Sequence, residues 1–466
     1  SGQLPITHGV IEDHLKIPAD VPLLQSTFRD GGYATFGGVA TLFVSSKFGF
    51  GRSFDRFEDF GIRDKKQNNL STVDADHVFN HALHWAQEQP AGTPMFLFLH
   101  VYDVHYNYDA PPPWNERFDR APVWDDEVYQ NYWAYKKKMI SAVQLEHQIA
   151  QYDEEIAFVD DAFRQLIERW WGSGREVVIA VTADHGEEFG ERGSWGHAHT
   201  LWPEQLHVPW ILHGAGLQPQ VIGTRAGTED IAPTMAALAG LSFGASDGLD
   251  RSPALLGGSS DESPGEPSGG VKVSARLADT SRFDSLVLRW HEWPYDLHID
   301  VTHKMRGLCN LESDPSCAIN IYRDNREHGE EMFERLMGEL GETWTANVQG
   351  SLEVVDGTIF SKNVRRNQNL DVEPGDTFAV IPGDASVKIH VGGEVLGPWR
   401  PLGGIVPGEG CPLTFSGRYI TNASASLSDE EREYLINIGY LQPGDDESPE
   451  DVPEELSGPS GVVDCD

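Results

Sequence analysis

The run Thr182-Ala183-Asp184-His185-Gly186-Glu187-Glu188, followed by Gly196-His197-Ala198-His199-Thr200, gathers side chains suited to chemistry. Carboxylate beside imidazole is a ligand set for a divalent metal ion. The first expectation is therefore a metal-dependent hydrolase. Val177–Val181 just before it is apolar and reads as a buried strand, so Asp184 and His185 stand where a strand gives way to a loop. Open α/β sheets place their ligands at such strand ends.

The elements that must hold this stretch alternate. Tyr33–Gly37, Met95–Val101 and His207–Leu212 read as further strands. Between Glu146 and Trp170, Ile156, Val159, Phe163, Leu166, Ile167 and Trp170 share one helical face. Strands alternating with helices predict an α/β fold whose mainly parallel sheet is covered on both faces. This α/β domain is expected over residues 1–256, followed by a flexible Gly/Ser/Pro linker at 257–270. A smaller C-terminal α+β subdomain is expected at 271–345, with antiparallel strands near Ser285–Trp290 and Leu297–Val301 and a helix at Glu330–Leu340. Short alternating strands at Leu352–Val355, Thr377–Ile381 and Ser386–Val391 predict a small β-rich module at 346–426. Residues 427–466 read as a closing helix, Leu427–Leu441, with Ser428 and Glu431 placed for a capping box, and an acidic tail.

Composition narrows the partners. The 466 residues carry 35 Lys and Arg against 73 Asp and Glu, a formal net charge of −38. Such a surface repels nucleic acid and anionic membrane. It suits a salt-adapted protein, or simply a soluble one. An anionic substrate would then need a site made locally positive by metal, His and Arg. No apolar run reaches the roughly 18 residues of a membrane-spanning helix, and no signal peptide is apparent. The chain opens at Ser1 without Met, so an upstream portion is expected to have been removed or left out. Cys309, Cys317, Cys411 and Cys465 permit either two disulfides in an oxidising compartment or four free thiols.

The motifs extend along the chain. Thr182–Glu191, Gly196–Leu201 and Val208–Ile211 are joined by His8-Gly9-Val10, the Phe48–Asp55 loop, and His100-Val101-Tyr102-Asp103-Val104-His105 with Tyr108 and Pro111-Pro112. Thr228–Thr234, Asp247-Gly248 and Leu308–Pro315 follow. Together these resemble the sulfatase family of the alkaline phosphatase superfamily, over roughly residues 1–340 and the closing helix. The resemblance implies an alkaline-phosphatase-type sheet between helices, cleavage of a sulfate ester, and a location in the periplasm, outside the cell or at its surface. It implies a divalent metal, most often Ca²⁺, and a formylglycine nucleophile. Carried over by position, Asp184 and His185 are metal ligands. His105 is a substrate-contacting or acid residue. His197 and His199 stand where many sulfatases carry a sulfate-binding Lys, and His8 follows the nucleophile segment.

That segment is not among these residues. No Cys-x-x-x-Arg occurs, and the Ser-x-x-x-Arg runs at Ser285, Ser361 and Ser428 lack the central Pro or Ala. The formylglycine and the first pair of Asp ligands are therefore expected upstream of residue 1, or on a separate N-terminal fragment that completes the site. Otherwise the protein is a catalytically inactive relative with a structural or binding role. Two active alternatives are a phosphodiester or phosphonate hydrolase and a phosphoethanolamine-type transferase, with Zn²⁺ or Mn²⁺. The substrate class is a sulfated or phosphorylated small molecule or glycan.

Plainer roles compete for several residues. Asp184 could cap a helix. Glu187 and Glu188 read as solvated or capping residues, His100 as a satisfied core histidine, and His207 and His213 as structural. His77, His81 and His84 share a solvated helical face, and the aromatic residues of Phe48–Phe60 read as packing.

Overall fold

The computed structural model describes residues 1–8, 10, 15–60, 73–106, 108–118, 141–191, 193, 195–197, 201–214, 216–223, 226–257, 270–276, 286–300, 305–339, 343–355, 358–361, 365–367, 369–381, 386–399, 405–408, 410–416, 428, 431 and 461–463. The linker at 258–269, most of the closing helix and most of the acidic tail lie outside them. Ser428 and Glu431 are inside and exchange the expected reciprocal hydrogen bonds, Ser428 N to Glu431 Oε2 at 2.7 Å and Glu431 N to Ser428 Oγ at 3.3 Å.

A short helix α1 (Pro5–His8) and α2 (Leu24–Asp30) precede the central strand β1 (Ala34–Val39). It pairs in parallel with β2 (Arg56–Asp59) on one side and β3 (Met95–His100) on the other. Both faces of β1 are covered. Phe28 of α2 stacks on Phe96 at 4.4 Å, and Trp85 of α3 (Ala75–Glu88) lies 5.3 Å from Phe36. Gly37 is required here, because a Cβ would sit 2.4 Å from the Phe57 ring. The aromatic residues of Phe48–Phe60 do pack, with Phe54 on Phe57.

The 31-residue helix α4 (Ala142–Gly172) starts at a Ser141/Gln144 capping box and lies on α3. Phe158, Ala162 and Leu166 interlock with Ala75, Phe79 and Leu83. Of the predicted stripe, Leu166 is buried in this core and Val159, Phe163 and Trp170 pack against it, whereas Ile156 faces solvent. Polar neighbours take the inward positions beside Ile156. Glu154 and Glu155 turn inward to accept hydrogen bonds from Phe118 N and Asp109 N, at 2.8 and 2.7 Å. The buried Glu154 and Glu155 side chains are each satisfied by one of these backbone N–H groups, which outweighs apolar patterning over that turn.

Glu155 carries a consequence for pH. Burial, with the nearby charges of Asp103, Asp109 and Asp74, pushes its carboxyl up to about 8, against the hydrogen bond from Asp109 N. A raised folded-state pKa favours folding below the unfolded value and loses that contribution as pH climbs to the folded value. Stability should therefore fall between about pH 4.5 and 8 on this account. Glu155→Gln keeps the acceptor without the charge. Thermal melts should find it more stable than wild type near pH 9, by on the order of 2 kcal/mol, and equal near pH 5.

Strand β4 (Val178–Thr182) follows α4, and a two-residue hairpin of β5 (Glu188–Phe189) and β6 (Trp195–Gly196) follows β4. After α5 (Pro203–Leu206), β7 (Trp210–Gly214) returns antiparallel to β4. It starts later than the predicted His207, since Pro209 has no N–H to give a ladder. Among the described residues β4 pairs only with β7, and β3 only with β1. Phe98 and Ile211 on these strands are 38% and 59% exposed. Helices α6 (Ile231–Leu238) and α7 (Ser252–Leu255) close this part.

The C-terminal α+β part is a four-stranded antiparallel sheet, β8 (Gly270–Arg276), β9 (Leu286–Glu292), β10 (Tyr295–Asp300) and β11 (Met305–Asn310), backed by α8 (Arg326–Glu339). Leu288, Trp290, Leu297, Met332 and Leu336 form its core, and Cys309 and Cys317 are joined in a disulfide. The β-rich part is two antiparallel sheets sharing one core of Trp344, Leu352, Phe378, Ile389, Trp399 and Leu413. Thr343–Ala346 is a strand of this unit, paired with Thr377–Ile381 and Leu413–Ser416, so the unit begins a few residues before 346.

Candidate active site

The expected residues at 184 and 185 leave the C-terminal end of β4, and His100 and His105 leave that of β3. The charge of Asp184 acts on both His185 and His100. His185 stacks on His197, with ring centres 4.3 Å apart, and His105 meets His197 edge-on at 4.8 Å. Four of the predicted site residues, His105, Asp184, His185 and His197, are thus one group. His8 lies on α1, which packs against β8, and its Nδ1 accepts a hydrogen bond from Val10 N. The ring contacts that tie the three imidazoles do not run through it. His199 lies outside the described residues.

Each of the three imidazoles is tethered through Nδ1. His185 bonds Gly186 O at 2.9 Å, His105 bonds Tyr106 O, and His197 bonds Glu187 Oε1 at 3.0 Å. Carbonyl and carboxylate oxygens only accept, so Nδ1 carries the hydrogen in each and Nε2 is the basic nitrogen. Burial, then the charge of His197, holds the His105 imidazole well below its ordinary pKa despite the bond to Tyr106 O. Partial loss of water to the surrounding protein would raise the carboxyl of Asp184, but His185, His100 and the N–H of His185 outweigh it and hold it below the usual range. Its side chain is 71% exposed. Asp184 is therefore an ionised, accessible carboxylate, not the helix cap it could have been. His100 is not a satisfied core residue: its buried Nδ1 has no hydrogen-bond partner among the described residues.

Local structure fixes the stretch from behind. Gly186 N donates to Gln205 O at 2.7 Å, and a Cβ on Gly186 would lie 2.1 Å from Glu204 O. Only glycine allows α5 this close. Glu188 is fully buried and accepts from Gln205 Nε2 at 2.8 Å. Arg289 of β9, paired with Asp296, donates to Leu201 O at 2.8 Å and ties the C-terminal sheet to the same segment.

Glu187 and Glu188 are thus buried, not solvated. Burial was legible in one signal. Gly190 and Gly193, at φ of 100° and 74°, turn the hairpin in which Glu188 faces Gly196. The next pair out is Glu187 opposite His197, and the Glu188-Phe189…Trp195-Gly196 spacing around two glycines is the hairpin signature.

The sulfatase family model matches residues 1–241, just over half of the chain. The protein belongs to the sulfatase family. The low-salt glycan biosynthesis sulfotransferase Agl7 of Haloferax volcanii is 27% identical over 189 residues, 38% of this chain and 46% of that protein. The chain spans less than half the length of the curated relatives it matches. Among solved structures, the 2-O GAG sulfatase BT1596 superposes with a TM-score of 0.55 at 15% identity, covering 73% of this chain and 80% of that one. The phosphonate monoester hydrolase of Silicibacter pomeroyi gives 0.54 at 18%, covering 72% and 84%. At these identities the structures speak for the fold, which is the sulfatase-type α/β fold.

Proposed function

We propose that this sulfatase-family protein cleaves a sulfate ester on a glycan or small molecule with the aid of a divalent metal ion. The convergence of Asp184, His185, His197 and His105 at the ends of β3 and β4 carries this reading. Asp184 and His185 fit two positions of a metal site: the carboxylate is ionised and open, and His185 Nε2, its basic nitrogen, lies 3.8 Å from Asp184 Oδ1. Among the described residues no three His, Cys, Asp or Glu side chains are grouped to hold a metal. The pair is then part of a coordination sphere. A bound metal would neutralise charge on the ester and polarise it. His105, His197 and, by the family resemblance, His199 and His8 would hold the anionic oxygens, with His197 or its neighbours passing a proton to the leaving oxygen. Ca²⁺ is the first candidate.

The imidazole ligand supports a second reading, with Zn²⁺ or Mn²⁺, because nitrogen donors suit Zn²⁺ better than Ca²⁺. A phosphodiester or phosphonate would then be the substrate. Among the described residues β3 and β4 are each paired on one side only. The disulfide between Cys309 and Cys317 supports a location outside the cytoplasm, and no described helix is long and apolar enough to cross a membrane.

The test uses the full-length protein with 4-nitrophenyl sulfate, bis(4-nitrophenyl) phosphate and a phenylphosphonate monoester, beside elemental analysis. Preference for the sulfate and loss of metal in Asp184→Asn are expected. Preference for either phosphorus ester would favour the second reading, and unchanged metal in the variant would remove Asp184 from the ligand set.

A further inference from the structure

Beneath the imidazole group lies a carboxylate that the proposed chemistry does not use. Glu187 has a side chain only 5% exposed, as buried as that of His197 at 4%. Its Oε1 and Oε2 lie 3.0 and 3.2 Å from His197 Nδ1. Oε2 also accepts a hydrogen bond from the phenol of Tyr108 at 3.1 Å. Burial, then the charge of Glu187, pushes the Tyr108 hydroxyl well above its ordinary pKa, so it stays a donor.

We infer that Glu187 is a positioning residue that sets the tautomer and ring plane of His197, with Tyr108 holding the carboxylate in place. The inference rests on the sulfate-ester reading for its consequence, and on geometry alone for its substance. A buried carboxylate is costly unless hydrogen-bonded. Here both of its bonds are to side chains of the imidazole group or its support, not to backbone needing an acceptor. The bond to Nδ1 leaves Nε2 as the nitrogen that can meet a substrate oxygen. Its rigidity comes from the hairpin: Glu188 faces Gly196 and Phe189 faces Trp195, so Glu187 and His197 approach as the next pair. Tyr108 is itself wedged by Tyr152 at 5.4 Å and Phe189 at 6.2 Å. A carboxylate behind a catalytic imidazole works this way in other hydrolases, where exchanging it for the amide leaves the geometry but presents the wrong tautomer.

The experiment reads the tautomer directly. In full-length protein labelled with ¹⁵N-histidine, long-range ¹H–¹⁵N spectra distinguish Nδ1–H from Nε2–H, and His197→Gln identifies the His197 signals. Wild type should show Nδ1–H. Glu187→Gln, whose amide can donate to Nδ1, should shift the population toward Nε2–H and lower kcat by about 10²-fold or more with little change in KM. Glu187→Asp should keep the Nδ1–H form and recover part of kcat. Tyr108→Phe should keep the tautomer and lose less than about tenfold. An Nε2–H form in wild type, or a Glu187→Gln protein with unchanged tautomer and unchanged kcat, would overturn the inference. If wild type turns over phosphorus esters instead of the sulfate, the sulfate-ester reading fails while the tautomer result still decides the role of Glu187.

Discussion

His197→Gln is expected to lower kcat for an alkyl sulfate by about 10³-fold, within the range for a positioned acid or base, and to spare the fold. The side chain is the hub of the site, in ring contact with both His185 and His105 and bonded to Glu187. Glutamine occupies similar space and keeps a hydrogen-bonding end, so packing against Tyr106 should survive. What it cannot do is shuttle a proton. The loss should therefore depend on the leaving group: large for an alkoxide, which needs a proton as the ester bond breaks, and much smaller for an acidic nitrophenol. Rates for a series of aryl and alkyl sulfates check this. A loss equal across the series would mean that His197 binds the sulfate and that the proton comes from elsewhere, with His105 or His199 next in line.

The difference between what sequence revealed and what it hid is physical. Strands β1, β3 and β4 were legible because they are short apolar runs bounded by turns, and Asp184-His185 was legible because it follows one of them. The hidden parts are polar groups whose partners are distant in sequence. The inward turn of Glu154 and Glu155 answers backbone N–H groups of Phe118 and Asp109, which no helical periodicity can reveal. Tyr108 meets Glu187 across 79 residues and Arg289 meets Leu201 across 88. His100 misled for the converse reason: it lies in an apolar strand, yet that strand ends at the site, and its buried Nδ1 has no hydrogen-bond partner among the described residues. Glu187 was the exception, a local pairing that the hairpin turn encodes.

The second large effect concerns the link between the C-terminal sheet and the site. Arg289 and Asp296 pair diagonally across neighbouring strands β9 and β10, and His291, directly opposite Asp296, lies 3.5 Å from the same carboxylate. Burial would raise the Asp296 carboxyl, but Arg289 and His291 outweigh it and hold it below the usual range. Asp296→Ala leaves the guanidinium buried and uncompensated, a change that costs about 3–5 kcal/mol. Arg289→Met with Asp296→Leu removes both charges and keeps most of the volume, so the double variant should be more stable than Asp296→Ala. Denaturant melts of these proteins give the comparison. Arg289 also donates to Leu201 O, just before α5, whose backbone lies against Gly186. The double variant loses that donor, so recovered stability should not bring recovered turnover: kcat should stay well below wild type because Leu201 and the Asp184–Gly186 stretch behind it are no longer braced. Full activity in a stable double variant would show that the C-terminal sheet contributes to folding alone, and that the geometry of the imidazole group is set within the α/β domain.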